Sequence, residues 1–288
     1  MAAEIISGKE LAATIRNNIS SDVFNLKQVG IVPGLTVILV GNNPASRSYV
    51  TAKEKACQEI GIRSTLLEYP DTITEEFLLH EISRLNEDND VHGILVQLPL
   101  PKQINELAVI EHISPEKDVD GFHPINVGRM MTGQDAFLPC TPFGIVEMVK
   151  SKQIPISGKH VVVIGRSNIV GKPVGQLFLN EHATVTYCHS RTTNLKEITK
   201  QADILIVAVG KANYIDSEYI KPGAVVIDVG VNRLESGKLC GDVLFEDAQK
   251  VAGYITPVPG GVGPMTITML LQNTLLSAQA VNRSNVKG

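Results

Sequence analysis

The chain is 288 residues long, 43% hydrophobic, and carries 26 Lys and Arg against 30 Asp and Glu for a net charge of −4, which fits a globular α/β protein of two compact domains. Its slight acidity, with a pI near 6.0, leaves no basic footprint for nucleic acid or an anionic membrane, so the expected partner is a small molecule. The four cysteines at 57, 140, 188 and 240 show neither a Cys-x-x-Cys pair nor a zinc spacing, and the N-terminus lacks an apolar leader; the expectation is a reduced, metal-free cytoplasmic protein. Short apolar runs then alternate with amphipathic stretches, a pattern that predicts parallel sheets covered by helices. After the first run, Leu35–Val40, Asn43 can cap a helix, Pro44 can occupy its first turn and Gly61 can end it. Tyr49 and Lys53, four residues apart, share one face near the start of that helix. Further strands are predicted at Ser64–Leu67 and Gly93–Leu98, with Gln97 at the carboxyl end of the latter before Pro99 stops it. Ligands of open α/β sheets bind outside the carboxyl ends of strands, which would bring Tyr49, Lys53 and Gln97 to one crevice. A solvated Tyr/Lys pair and a strand-capping Gln would have the same spacing.

The stretch from Pro99 to Lys159 is too long for one crossover. It includes Ser114–Pro142, which bears Pro and Gly and is predicted to be irregular, and the domain boundary is placed there. Thr141 and Pro142 can start a connecting helix that runs through Lys150. Next comes Val161–Ile164, a buried-strand run that breaks into Gly165 and a helix start. Against the dinucleotide fingerprint, Gly165 takes the first glycine place, Ser167 the second and Val170 the third, with Gly171 one residue late. An ordinary strand-to-helix turn would look similar. The strand Ala183–Tyr187 ends in Cys188-His189-Ser190-Arg191, where NAD-binding proteins usually place an acidic residue for the ribose 2′-OH. A hydroxyl and a guanidinium suit a 2′-phosphate instead, with Arg166 closing from the other side, so the expected cofactor is NADP. Strands at Ile204–Val209 and Ala224–Val229 follow. The final helix, Thr266–Val281, has no later strand to cover and is predicted to cross back onto the first domain.

Six motifs now stand in order: Tyr49-x-x-x-Lys53, Gly93–Pro101 (GILVQLPLP), Lys117–Phe122 (KDVDGF), Pro139–Pro142 (PCTP), Gly165–Pro173 (GRSNIVGKP) and Pro257–Thr266 (PVPGGVGPMT). Together they resemble the bifunctional methylenetetrahydrofolate dehydrogenase/cyclohydrolase family over almost the whole chain. The resemblance implies a folate-binding catalytic domain at 1–139, a Rossmann-like NADP-binding domain at 140–265, a cleft between them, and a C-terminal helix at 266–288 packed on the first. It implies oxidation of 5,10-methylenetetrahydrofolate by NADP⁺, hydrolysis of the methenyl product to 10-formyltetrahydrofolate, and a homodimer. By the same resemblance Lys53, Gln97 and Tyr49 are catalytic, and Tyr49, Asp120, Pro259, Gly260 and Gly261 bind substrate. Gly165, Arg166, Ser167, Ile169, Ser190, Arg191, Gly210 and Val231 are implied to bind the cofactor.

The chemistry sorts these roles. Hydride transfer needs positioning and no protein base, because the folate nitrogen lone pair drives it. Hydrolysis needs a proton carrier, and for Lys53 to serve near neutrality its ammonium must be destabilised by ~3–4 kcal/mol through burial or cationic neighbours. Gln97 can orient the amine without adding a negative charge. Asp120 against Lys53 would oppose that shift, so it is assigned to the far end of the substrate, accepting the paired N–H donors of the pterin; Asp118 competes for that role, with a turn-forming role as its alternative. Pro259, Gly260 and Gly261 would admit close backbone approach. His123, His189 and Cys140 are expected to serve packing or local hydrogen bonding. Two other classes stay open: a single-activity NADP-dependent dehydrogenase, which would have no use for Lys53, and a non-catalytic nucleotide-binding protein.

Overall fold

The structure is a computed structural model describing residues 2–287, with side chains placed as far as residue 281; residues 1 and 288, at the ends of the predicted first and last segments, lie outside the described residues. In chain order, β1 (Glu4–Ile5) and α1 (Gly8–Gln28) precede β2 (Gly34–Val40), α2 (Pro44–Ile60), β3 (Arg63–Tyr69), α3 (Glu75–Glu87) and β4 (Gly93–Val96). Helices α4 (Glu106–His112), α5 (Pro124–Met131) and α6 (Cys140–Ser151) lead to β5 (His160–Ile164), α7 (Gly171–Asn180), β6 (Thr184–Cys188), α8 (Leu195–Thr199) and β7 (Ile204–Val207). The chain closes with β8 (Val225–Asp228), β9 (Asn232–Arg233), β10 (Leu239–Cys240), α9 (Phe245–Ala248), β11 (Tyr254–Ile255) and α10 (Val262–Lys287). Two compact units result: residues 14–140 with 267–288, and residues 1–13 with 141–266. Among the described residues no helix is long and apolar enough to cross a membrane.

The unit of residues 14–140 is built on a parallel sheet of order β3-β2-β4. Central β2 is buried at every position, as a strand covered on both faces must be. Ile38, Leu78, Ile82 and Ile94 are fully buried in its core, each contributing about 1.5–3 kcal/mol of hydrophobic burial. Helix α2 begins where Asn43 Oδ1 accepts the N–H groups of Ala45 and Ser46 at 2.9 and 3.2 Å, and ends on Gly61 at φ 81°. The predicted strand end at Leu98 moves back to Val96, leaving Gln97 just beyond the sheet.

The stretch Ser114–Pro142, predicted to be irregular, carries a helix. α5 starts on His123, whose Nδ1 accepts the Ile125 N–H at 3.1 Å, has Pro124 in its first turn, and buries Asn126 and Met130. The eight residues of α5 are too few for a clear helical period, which is why the pattern missed it. Upstream of that helix, Asp118 forms a parallel bridge with Ile94, and the Ile94 N–H donates to the Lys117 carbonyl at 2.9 Å. The KDVDG run is thereby laid along β4. Asn273 of α10 secures it, donating to the Val119 and Leu138 carbonyls at 2.9 and 3.0 Å.

The other unit holds a six-stranded sheet of order β1-β11-β8-β7-β5-β6, with every pairing parallel. Connections run outward from β5 in opposite directions, to β6 on one side and to β7 on the other, which is the doubly wound, Rossmann-like arrangement with its switch point at β5 and β7. The first 13 residues belong here and not with the 1–139 segment. Glu4 and Ile5 pair in parallel with Tyr254 and Ile255, an edge strand of two residues that is too short to show any periodicity in sequence. The β9–β10 pair, joined antiparallel at Asn232 and Cys240, was likewise too short to predict.

Candidate active site

Lys53 lies on α2, which leaves β2, and Gln97 lies just past β4, so both stand at the switch point of the three-stranded sheet. Lys53 is buried, with 8% exposure, and its Nζ donates to Gln97 Oε1 at 2.9 Å. The Gln97 Nε2 donates to the Leu98 carbonyl at 2.8 Å, which fixes the amide so that its oxygen faces the lysine. Burial pushes the Lys53 ammonium below the ordinary lysine range, while the negative charge of Asp120 opposes the shift. A buried amine whose hydrogen-bond partner is neutral can exchange a proton with a substrate. Tyr49, one turn earlier on the same helix, is 45% exposed.

Asp120 departs from the separation expected of it. Its charge reaches Lys53 and acts to raise the lysine's pKa, because the Asp118–Ile94 bridge carries the next residues toward the same sheet edge as Gln97. Burial raises the Asp120 carboxyl, and Lys53 and the Cys140 thiol lower it. Asp118 is occupied locally: it accepts the N–H groups of Phe122 and His123 at 3.2 and 2.8 Å and the Asn126 amide at 2.9 Å. That is the turn-forming role, and Asp120 is the carboxylate of this run whose charge reaches Lys53. Cys140 is 1% exposed, its thiol donates to the Val119 carbonyl at 3.2 Å, and burial holds it well above the ordinary thiol range, the surroundings of a packing cysteine.

In the six-stranded unit, Gly165 follows β5 at φ 132°, where a Cβ would run into the Ala208 carbonyl. A Cβ on Gly171 would collide with the Gly165 backbone. Gly171 therefore does the close-packing work of the third fingerprint glycine, one residue later than the register assigned to Val170. Ser167 Oγ accepts the N–H groups of Val170 and Gly171, both at 3.2 Å, so the hydroxyl in the second glycine place caps the helix start. A cavity of about 240 Å³ opens here, lined by Gly165, Arg166, His189, Ser190, Lys211 and Tyr214 among others. Cationic and hydroxyl donors around a glycine turn fit a phosphate-bearing dinucleotide. Arg191 is exposed beside this wall, and its N–H donates to His189 Nδ1 at 3.1 Å. Lys211 and Tyr214 escaped the sequence reading, since neither falls in the glycine fingerprint. Ile169 and Val231 are 41% and 49% exposed, apolar surface of the kind that covers a cofactor ring.

The Pro259–Gly261 turn divides its roles. A Cβ on Gly261 would collide with the Pro257 carbonyl, and one on Gly8 would collide with Gly261, whereas a Cβ on Gly260 would only touch Pro257 Cγ at 4.0 Å, and it is the φ of 101° that favours glycine there. Gly261 is thus required by the protein's own packing, and Gly260 by its backbone conformation. The N–H of Gly210 is similarly taken, by Asp242 Oδ2 at 2.9 Å.

By fold the chain is a two-unit α/β protein with a doubly wound, Rossmann-like sheet. Residues 6–120 match the family model described as tetrahydrofolate dehydrogenase/cyclohydrolase, catalytic domain, and residues 139–282 match its NAD(P)-binding domain. The chain is 70% identical over 279 residues, 97% of its length and 98% of the relative's, to the bifunctional protein FolD of Bacillus cytotoxicus. Among solved structures it is similar to the bifunctional FolD methylenetetrahydrofolate dehydrogenase/cyclohydrolase of Campylobacter jejuni, with TM-score 0.96 and 51% identity over 97% of this chain and 100% of that one. The Trypanosoma brucei enzyme, solved with NADP cofactor and inhibitor, gives TM-score 0.94 and 41% identity over 98% of this chain and 99% of that one. The chain belongs to the tetrahydrofolate dehydrogenase/cyclohydrolase family.

Proposed function

We propose that the chain oxidises 5,10-methylenetetrahydrofolate with NADP⁺ and hydrolyses the resulting methenyl cation to 10-formyltetrahydrofolate. The observation that carries this reading is Lys53, a buried amine held by a neutral amide at 2.9 Å, a group that hydride transfer alone has no need for. NADP⁺, when bound, takes the hydride from the methylene carbon. Around that step the protein positions and excludes water: Tyr49 stacks on the folate, Asp120 accepts the pterin N–H pair, and Gly260 admits the ligand to the backbone. Arg166 and Ser190 take the 2′-phosphate, with Lys211 beside them, which sets NADP over NAD.

In the hydrolysis, water adds to the methenyl carbon while neutral Lys53 takes one of its protons. Lys53 returns that proton to N5 as the C–N5 bond breaks, and the second water proton leaves to solvent as the formyl C=O forms. The substrate's own positive charge adds to burial in favouring the neutral amine. Assembly as a homodimer and a cytoplasmic setting complete the proposal; family resemblance supports the first, and cysteine usage the second. Mixing the protein with NADP⁺ and methylenetetrahydrofolate is expected to raise NADPH absorbance, followed by 10-formyl product. Stoichiometric NADP⁺ binding with no absorbance change would defeat the proposal in favour of a nucleotide-binding protein. Light scattering at assay concentration tests the dimer.

A further inference from the structure

At the carboxyl edge of the six-stranded sheet, three neighbouring strands end in one buried polar network. Asp228, the last residue of β8, has its N–H bonded to Thr256 Oγ1, just past β11, at 2.8 Å. Its carboxylate accepts the N–H groups of Gly230, Asp242 and Val243 at 3.0, 2.9 and 2.9 Å. Asp242, 0% exposed, then turns its own carboxylate on the loop after β7. Oδ2 accepts the N–H groups of Val209 and Gly210 at 2.7 and 2.9 Å, and Oδ1 accepts those of Lys211 and the Asn232 amide at 2.8 and 2.9 Å. Two glycines make room for this: a Cβ on Gly230 would strike the Asp242 carboxyl, and one on Gly241 would strike that of Asp228.

Three successive backbone N–H groups converging on one carboxylate specify the loop's shape residue by residue, including Gly210 at φ 65°. Val209 and Lys211 also line the cavity beside Gly165, Arg166 and Ser190. Asn232 carries the same constraint to the segment after β8, next to exposed Val231. We infer that Asp242 is a positioning residue for the cofactor, holding Val209–Lys211 and, through Asn232, the Val231 segment in the form the dinucleotide requires. The inference rests on the assignment of NADP to this unit. Asp242 faces backbone and one amide, so it acts through the loop and touches no reacting atom.

The test is Asp242→Asn in the full chain. One carboxylate oxygen becomes an NH₂ group pointed at N–H donors, and donors facing donors release the loop. Expected are a rise of about tenfold or more in the NADP⁺ Michaelis constant and a comparable rise in the calorimetric Kd, with kcat at saturating NADP⁺ within about threefold of wild type. Hydrolysis of methenyltetrahydrofolate, which uses no NADP⁺, is expected to be unchanged and so reports folding independently. Asn232→Ala, which removes one of four contacts from a half-buried position, covers the case in which Asp242→Asn does not fold. It is expected to raise the NADP⁺ constants about two- to fivefold with hydrolysis intact. Wild-type NADP⁺ constants in a folded Asp242→Asn protein, or in Asn232→Ala where Asp242→Asn fails to fold, would overturn the inference. So would loss of hydrolysis in proportion to NADP⁺ binding. A wild-type protein that binds NADP⁺ without oxidising methylenetetrahydrofolate would defeat the functional proposal alone, since the ratio of Kd values would still decide the role of Asp242. Absence of NADP⁺ binding by the wild type would overturn both.

Discussion

The Lys53 ammonium donates to Gln97 Oε1 at 2.9 Å, and the Gln97 amide is tied from behind to the Leu98 carbonyl. A neutral acceptor in that place lets burial keep the lysine's pKa below its ordinary value, because an amide favours the charged amine less than a carboxylate would. The neutral, proton-accepting fraction of Lys53 grows as pH rises through that lowered value. The ascending limb of the cyclohydrolase pH profile is therefore expected below the ordinary lysine range. Gln97→Glu places a negative charge on Nζ, raises the lysine's pKa and is expected to move that limb to higher pH by about one to two pH units. An unmoved limb in kcat/KM would remove Lys53 as the titrating group.

Arg166 stands at the turn after β5 and lines the same cavity as Ser190. Arg166→Ala is expected to raise the Michaelis constant for NADP⁺ by about tenfold or more, the worth of a charge-assisted phosphate contact, and to leave that for NAD⁺ nearly unchanged. Steady-state kinetics with both cofactors decides it, since a proportional rise in both would show that Arg166 does not read the 2′-phosphate.

Asn273 reaches from α10 to the Val119 and Leu138 carbonyls and fixes the run that presents Asp120. Asn273→Ala removes the amide donor from the Leu138 carbonyl and leaves the Val119 carbonyl with the Cys140 thiol, so a stability loss of about 1–3 kcal/mol is expected in urea unfolding, with a raised folate Michaelis constant. Unchanged stability and unchanged folate binding would show that the KDVDG run holds its shape without α10.

Gly171 meets the Gly165 backbone so closely that a Cβ has no room. Gly171→Ala is expected to cost about 1–3 kcal/mol of stability through overpacking and to weaken NADP⁺ binding, whereas Val170→Ala at the formal third place is expected to do much less. Calorimetric titration of both variants checks the one-residue displacement of the fingerprint.

Local signals were the legible ones. The Asn43-Pro44 start and Gly61 stop defined α2, and the break at Gly165 located the turn between β5 and α7, because each is a matter of a few adjacent residues. The site's supports are distant in sequence. Asp242 serves backbone groups 31 to 33 residues away, and Asn273 acts across 154 residues on Val119, so no window along the chain contains the donor and the acceptor together. The nearness of Asp120 to Lys53 was hidden for the same reason. It follows from one parallel bridge, Ile94 with Asp118, which sequence pattern does not display. The edge strand β1 and helix α5 fell below the length at which periodicity speaks.

The most direct test is the ratio of the two activities in Lys53→Met, a substitution that keeps the unbranched stem of the buried side chain while removing the proton carrier at its end. Hydrolysis of methenyltetrahydrofolate is expected to fall by about two orders of magnitude or more, from loss of a general acid–base group, while NADP⁺-dependent oxidation of methylenetetrahydrofolate retains most of its rate. Equal residual fractions of both activities in the folded variant would contradict that role for Lys53.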